Sequence, residues 1–146
     1  MNKPTYEVQA SPNGLNYYFE SINDGIIIQK IVAYLPTEGD DLIFQLVFGD
    51  LTVDGMIDVL SVSNNQDRNI ILTTVVSTLS DFFEKHPDKM VVFTGSTKSR
   101  TRLYRATIAK FIETTELYYQ VFGIFEDNST EIFNKQHSYY AYLISK

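Results

Sequence analysis

Between Ile70 and Phe83 the chain changes its hydrophobic period, and that change limits the available folds more than any other feature. Ile71, Leu72, Val75, Val76, Leu79, Phe82 and Phe83 fall on one stripe at helical spacing, with Thr73, Ser77, Ser80, Asp81 and Glu84 opposite. Asn64 or Asn65 offers an N-cap, and Pro87 closes the far end. The Thr and Val content lowers intrinsic helix propensity, so packing must hold this helix in place. An amphipathic helix of this kind needs a broad apolar surface, and the flanking sequence supplies a sheet.

Upstream, runs rich in Ile, Val, Tyr and Phe alternate with turn residues. Tyr17–Ile22 ends at Asn23-Asp24-Gly25, a hairpin signal because Asp-Gly tolerates positive φ. Ile26–Leu35 follows and stops at Pro36; then come Leu42–Phe48, a turn at Gly49-Asp50, and Met56–Ser63 after Asp54-Gly55. Short connections favour an antiparallel meander. Downstream, Lys89–Thr94 reads as a buried strand, Gly95-Ser96-Thr97 as a loop and Lys98–Ile112 as a second helix. Leu117–Glu126 and Ser138–Ile144 are the last strands, joined by a turn around Asp127-Asn128. The prediction is α+β: a mostly antiparallel sheet of about six or seven strands with two helices packed on it, and room for one parallel crossover. No repeat or linker interrupts the sequence, so residues 1–146 read as a single α+β domain.

Composition removes several classes of function. There is no Cys, which excludes disulfides, thiolate metal sites and Cys catalysis. No metal site and no cofactor is expected. No segment reaches the ~18 apolar residues of a membrane span, and the first residues lack a secretory apolar run. The expectation is a cytoplasmic protein without a membrane role. A pI near 4.8 argues against general nucleic-acid binding.

The net charge of −6 conceals a segregation. Lys89 to Ile112 holds six basic residues and no acid, namely Lys89, Lys98, Arg100, Arg102, Arg105 and Lys110; the remainder nets −12. Cations at a helix start oppose the macrodipole, at ~0.3–1 kcal/mol each when unscreened. Helix N–H groups, the Ser96, Thr97 and Ser99 hydroxyls and the arginines all suit an anion. Helical periodicity sends Lys98, Arg102 and Arg105 to one side and Arg100 to the apolar side, beside the end of the preceding strand. Arg100 is therefore the leading ligand contact. The structural alternative is pairing with Glu20, Asp50, Asp54, Asp58 or Glu126, since surface ion pairs are common.

Gly95-Ser96-Thr97-Lys98-Ser99-Arg100-Thr101-Arg102-Leu103-Tyr104 resembles the signature of a family of small uncharacterised bacterial proteins, mainly from Bacteroidota, the DUF6934 type. Met1–Tyr6, Phe48-Gly49-Asp50, Gly55-Met56-Ile57-Asp58, Ser63-Asn64-Asn65 and Asp67 are similar to it too. The resemblance implies a bacterial cytoplasmic protein and brings no activity, cofactor or catalytic residue.

Catalytic motifs are missing. A P-loop needs Gly at the positions of Val92 and Thr97, and neither a nucleophile elbow nor H-E-x-x-H occurs. His86 suits a helix C-terminus, and His137 stands in a polar stretch with no evident partner. Asp50 and Asp54 occupy turn positions that Asp favours, and Asp58 must face solvent or meet a base. The Tyr-rich strands are read as core and edge packing, with homodimerisation through the last strand as the lesser alternative. Two functions follow. The first is a non-enzymatic interaction module taking a protein partner or a phosphate-containing, anionic ligand at Ser96, Thr97, Ser99, Arg100, Arg102, Tyr104 and Arg105. The second is a phosphoester-directed enzyme or nucleic-acid-processing toxin using the same arginines, its catalytic residue drawn from Tyr104, Ser96 or a nearby acid. Whether any catalysis occurs stays open between them.

Overall fold

In a computed structural model of the protein, which describes residues 5–58, 68–94, 109–110 and 119–146, the Asp24-Gly25 turn forms as its chemistry dictates. Both residues take positive φ, 54° and 79°. They fold β2 (Asn16–Asn23) back on β3 (Ile26–Thr37) in an unbroken antiparallel ladder from Asn16↔Ala33 to Asn23↔Ile26. The remaining elements are β1 (Gln9–Ala10), β4 (Asp40–Leu51), β5 (Ile57–Asp58), α1 (Arg68–Lys85), β6 (Met90–Phe93), β7 (Gln120–Ile124), β8 (Thr130–Ile132) and β9 (Ala141–Ser145). The hydrogen-bonding order is β1-β2-β3-β4-β6-β9-β7-β8, with β5 on β4.

The class is α+β and the sheet mostly antiparallel, but the described residues already form nine strands instead of six or seven. β5 is the described part of the expected strand Met56–Ser63, while β1 and β8 span two and three residues, too short to leave an alternation signal in the sequence. Among the described residues α1 is the single helix of more than one turn; the expected helix Lys98–Ile112 lies outside them except for 109–110, which are helical. Pro36 does not end β3. The β2–β3 pairs end at Asn16↔Ala33, with the Tyr34 N–H still donating to the Leu15 carbonyl, so Pro36 lies past that ladder and its missing N–H breaks none of its bonds. The Asp127-Asn128 turn, with Asn128 at φ 70°, joins β7 to β8 rather than to the last strand.

The chain divides into two compact units, Met1–Tyr34 with Val47–Lys85, and Leu35–Leu46 with His86–Lys146. In the first unit α1 buries every residue of its predicted stripe, from Ile71 to Phe83. Each such burial contributes ~1.5–3 kcal/mol relative to exposure. Phe82 stacks on Tyr34, centroids 4.3 Å apart at 14°. The two buried threonines of α1 are satisfied: Thr74 Oγ1 donates to Ile70 O, and Thr78 Oγ1 sits 2.7 Å from Val75 O and 2.6 Å from the Tyr34 hydroxyl. That arrangement makes Thr acceptable inside a helix. Also in this unit, Lys30 is 5% exposed and ion-paired with Asp50.

In the second unit β6 runs parallel to β4, in register Ile43↔Met90 to Leu46↔Phe93. This is the parallel element that the strand–helix–strand order allowed. β9 pairs antiparallel with β6 on one side and with β7 on the other. β4, β6 and β7 therefore all run in one direction. Val91, Phe93, Val121, Tyr142 and Ile144 form the apolar centre of this part.

Candidate functional site

The parallel strand β6 ends just before the predicted site in sequence. Its buried residues Val91 and Phe93 fix the strand, and Thr94 closes it by donating from Oγ1 to Tyr140 O at 2.9 Å. The chain then enters Gly95. Ser96, Thr97, Ser99, Arg100, Arg102, Tyr104 and Arg105 lie outside the described residues. Of the six bases in the segment, Lys89 and Lys110 are described. Lys89 is partly buried with its ammonium 3.9 Å from Asp88, while Lys110 is exposed.

The same end of this unit carries a constellation that sequence reasoning overlooked. The Tyr140 N–H donates to Ile124 O at 2.7 Å, placing residues 137–140 beside the carboxyl ends of β6 and β7. There the Tyr139 hydroxyl donates to Glu131 Oε2 at 2.6 Å and accepts the Asn134 N–H at 2.8 Å. His137 Nδ1 approaches the same Glu131 oxygen at 2.6 Å. His137 thus has a carboxylate partner, against the expectation that it stood alone. The β7–β8 hairpin folds Glu131 back against the 134–137 turn, and that contact leaves no trace in local spacing. Hydrogen bonds from Tyr139 and then His137 hold the Glu131 carboxyl below its ordinary value. Burial, reinforced by Glu131, pushes the Tyr139 hydroxyl up to about 12.

Gly123 makes the arrangement possible. A Cβ there would stand 2.1 Å from the Tyr139 ring, so the glycine clears space rather than supplying an unusual φ. Phe125 and Phe133 flank that ring at 5.2 and 5.7 Å between centroids. A glycine inside an aromatic strand run, Val121-Phe122-Gly123-Ile124-Phe125, is the signal available in sequence, since such glycines mark close approach. Chemically, a carboxylate bonded at Nδ1 fixes the tautomer and ring angle of an imidazole.

The remaining candidates stay apart. His86 follows α1 and lies against the Phe44 ring, centroids 6.2 Å apart. Asp50 and Asp58 are direct cross-strand partners on β4 and β5, and Asp50 is paired with Lys30. Asp54 accepts the Thr52 hydroxyl within its own turn, which holds its carboxyl below the ordinary range. Asp67 lies outside the described residues. Among the described residues no three His, Asp or Glu side chains gather as metal ligands, and no helix is long and apolar enough to cross a membrane. β9 is paired on both sides, so both its ladder edges are occupied.

No curated protein and no solved structure matches the chain. A family model does match, over residues 2–146, and so spans the meander, α1 and β6 to β9 alike. By that match the chain belongs to DUF6934, a family of unknown function.

Proposed function

We propose that the protein is a bacterial, cytoplasmic, non-enzymatic interaction module that holds an anionic group at Gly95–Tyr104, carried by a protein partner or a phosphate-containing ligand. The observation that carries this reading is strand direction: β6 is parallel to β4, so Gly95 follows the carboxyl end of a parallel strand. Loops at such ends are where sheets with parallel strands commonly hold ligands. Arg100 and Arg102 supply charge-assisted donors, with Ser96, Thr97 and Ser99 adding hydroxyls. One acid that might have neutralised them, Asp50, is ion-paired with Lys30.

Titration of the isotopically labelled protein with inorganic phosphate tests this. Amide shifts are expected in Thr94–Tyr104, and Arg100→Ala with Arg102→Ala should weaken them roughly tenfold or more. The melting temperature should hold within a few degrees where the two arginines serve the ligand and not the fold. Silence at these amides, or unfolding of both variants, defeats the reading.

The second reading, a phosphoester-directed enzyme or nucleic-acid-processing toxin, draws on one observation. The Glu131–His137 pair lies at the sheet end from which Gly95 departs, and a carboxylate-oriented imidazole is a general base in form. Turnover of RNA, DNA or nucleotides that is lost in His137→Gln would favour it. Uniform inactivity would remove it.

A further inference from the structure

The first unit carries a groove that the anion site does not involve. β1 pairs with β2 only at Gln9↔Tyr18 and Ala10↔Tyr17. On the N-terminal side of Gln9 the chain leaves the ladder. The Tyr6 N–H donates to Thr74 Oγ1 of α1 at 2.9 Å, and its ring stacks on Phe19 at 5.9 Å. The Tyr6 hydroxyl reaches back to the edge of β2, donating to Ile22 O at 3.1 Å and accepting the Ile22 N–H at 3.2 Å. Between these two attachments a cleft of about 480 Å³ opens against the edge.

Three properties of the cleft point to one kind of occupant. Among the described residues its walls include the Glu7 and Glu20 carboxylates and no Lys or Arg. The exposed faces of Tyr18 and Ile22 border it, and Gln29 donates to Glu20 at 2.7 Å, orienting that carboxylate. Backbone alternation supplies the third. The N–H and C=O of Ile22 face this edge toward Tyr6, so those of Glu20, two residues earlier, face it as well. β1 stops at Tyr18, leaving Glu20 beyond the ladder. The Glu20 N–H and C=O, between the Gln9–Tyr18 pair and the Tyr6–Ile22 contact, can thus form a single β-bridge beside the side-chain pocket.

We propose that this groove docks an extended, arginine-bearing segment of a partner protein. The segment's backbone pairs with the Glu20 edge, and its guanidinium lies against Tyr18 between the Glu7 and Glu20 carboxylates. A planar guanidinium satisfies both demands at once, stacking on an aromatic face and donating in a fork to carboxylate. A cross-strand arginine opposite Glu20 also forms a favourable pair on the outer face.

The test is amide-shift titration with a short capped peptide of alternating valine and threonine around one central arginine, beside the same peptide with glutamate at the centre and arginine amide alone. Shifts are expected at Glu7 and along Tyr18–Ile22 with the arginine peptide. Roughly tenfold weaker binding is expected for Glu7→Gln/Glu20→Gln, whose exposed side chains leave the melting temperature unchanged. Equal binding by the glutamate peptide, or by the double variant, overturns the proposal, as does the absence of shifts. Full shifts from arginine amide alone overturn the backbone pairing and reassign the cleft to a small cation. Self-association that disappears in Glu7→Gln/Glu20→Gln overturns it in favour of a second copy of the chain.

Discussion

Each unit contains a tyrosine that donates a hydrogen bond to a carboxylate which also holds a basic side chain, yet the two groups are built differently. In the first, Tyr17 meets Asp81 at 2.8 Å, and Lys85 meets the same carboxylate oxygen at 2.9 Å. In the second, Tyr139 and His137 share one oxygen of Glu131. The first cation is one helical turn from its acid, and the cluster ties β2 to α1. The second is assembled by a hairpin and the turn after it. The same hydrogen-bond pattern thus serves as a clamp between strand and helix in one place and as a tie across a hairpin in the other.

A glycine sits beside each cluster, and substitution separates their roles with the largest effect. Gly123→Ala drives a Cβ into the rigid Tyr139 ring at 2.1 Å. It should cost ~2–3 kcal/mol by denaturant unfolding, with loss of the Tyr139–Glu131 bond. Gly14 has φ 71°, and its added Cβ would meet Lys85 Cδ, part of a flexible chain, at 2.6 Å. Gly14→Ala should cost ~1–2 kcal/mol, nearly all of it backbone strain. Reversal of that order would show that ring displacement in the second unit is easily relieved.

Removing the hydroxyls comes next. Tyr17 is 1% exposed and Tyr139 is 8% exposed. Tyr17→Phe strips Asp81 of one donor and should cost ~1–2 kcal/mol; Tyr139→Phe should cost ~1 kcal/mol and leave the Asn134 N–H without its acceptor. Equal losses would mean that the clamp and the hairpin cluster are energetically alike.

Alkaline and acid unfolding sharpen the contrast further. Burial and then Asp81 push the Tyr17 hydroxyl up, as burial and then Glu131 push Tyr139 to about 12. A native pKa raised above the unfolded value near ~10 means that the unfolded state loses its proton first. Stability from both tyrosines is complete below that value and falls as pH rises toward about 12. Tyr139→Phe should flatten the decline of melting temperature in this window. At the acid end the sign is opposite. Burial works against the Asp81 charge, but bonds from Lys85 and Tyr17 outweigh it, and Glu131 is likewise held low. Their stability is present above the unfolded carboxyl values near ~4 and is lost as pH falls through the native ones. The smallest effect is expected for His137→Gln, whose exposed ring should leave the melting temperature nearly unchanged at neutral pH. A large loss there would make the second cluster structural throughout.

The helix that carries Asp81 and Lys85 was legible, whereas neither the Tyr17 clamp nor the hairpin cluster was, for a physical reason. α1 announces itself because burial on one face imposes a 3.6-residue period from Ile71 to Phe83, and Asp81 and Lys85 sit on that same helix. Glu131 and His137 meet across a three-residue strand and a turn, where no period is repeated often enough to show. Pro36 misled because the point at which the β2–β3 ladder ends is a tertiary property of those strands. At Gly95–Tyr104, charge segregation was readable from composition alone, and the direction of β6 was not, since pairing partners far apart in sequence decide it. The arginine groove was equally hidden, because Tyr6 and Ile22 come together only when β1 leaves the ladder.

The placement of β9 bears on how the protein is made. It follows the other strands in sequence, yet it lies between β6 and β7 and pairs with both. On a ribosome synthesising ~5–20 residues per second, β6 and β7 emerge early and wait with unpaired edges until Ala141–Ser145 has left the exit tunnel. Folding of the second unit is therefore gated by the completion of translation through Ser145. During that interval the unpaired backbone edges of Met90–Phe93 and Gln120–Ile124 are open to chaperone capture and aggregation.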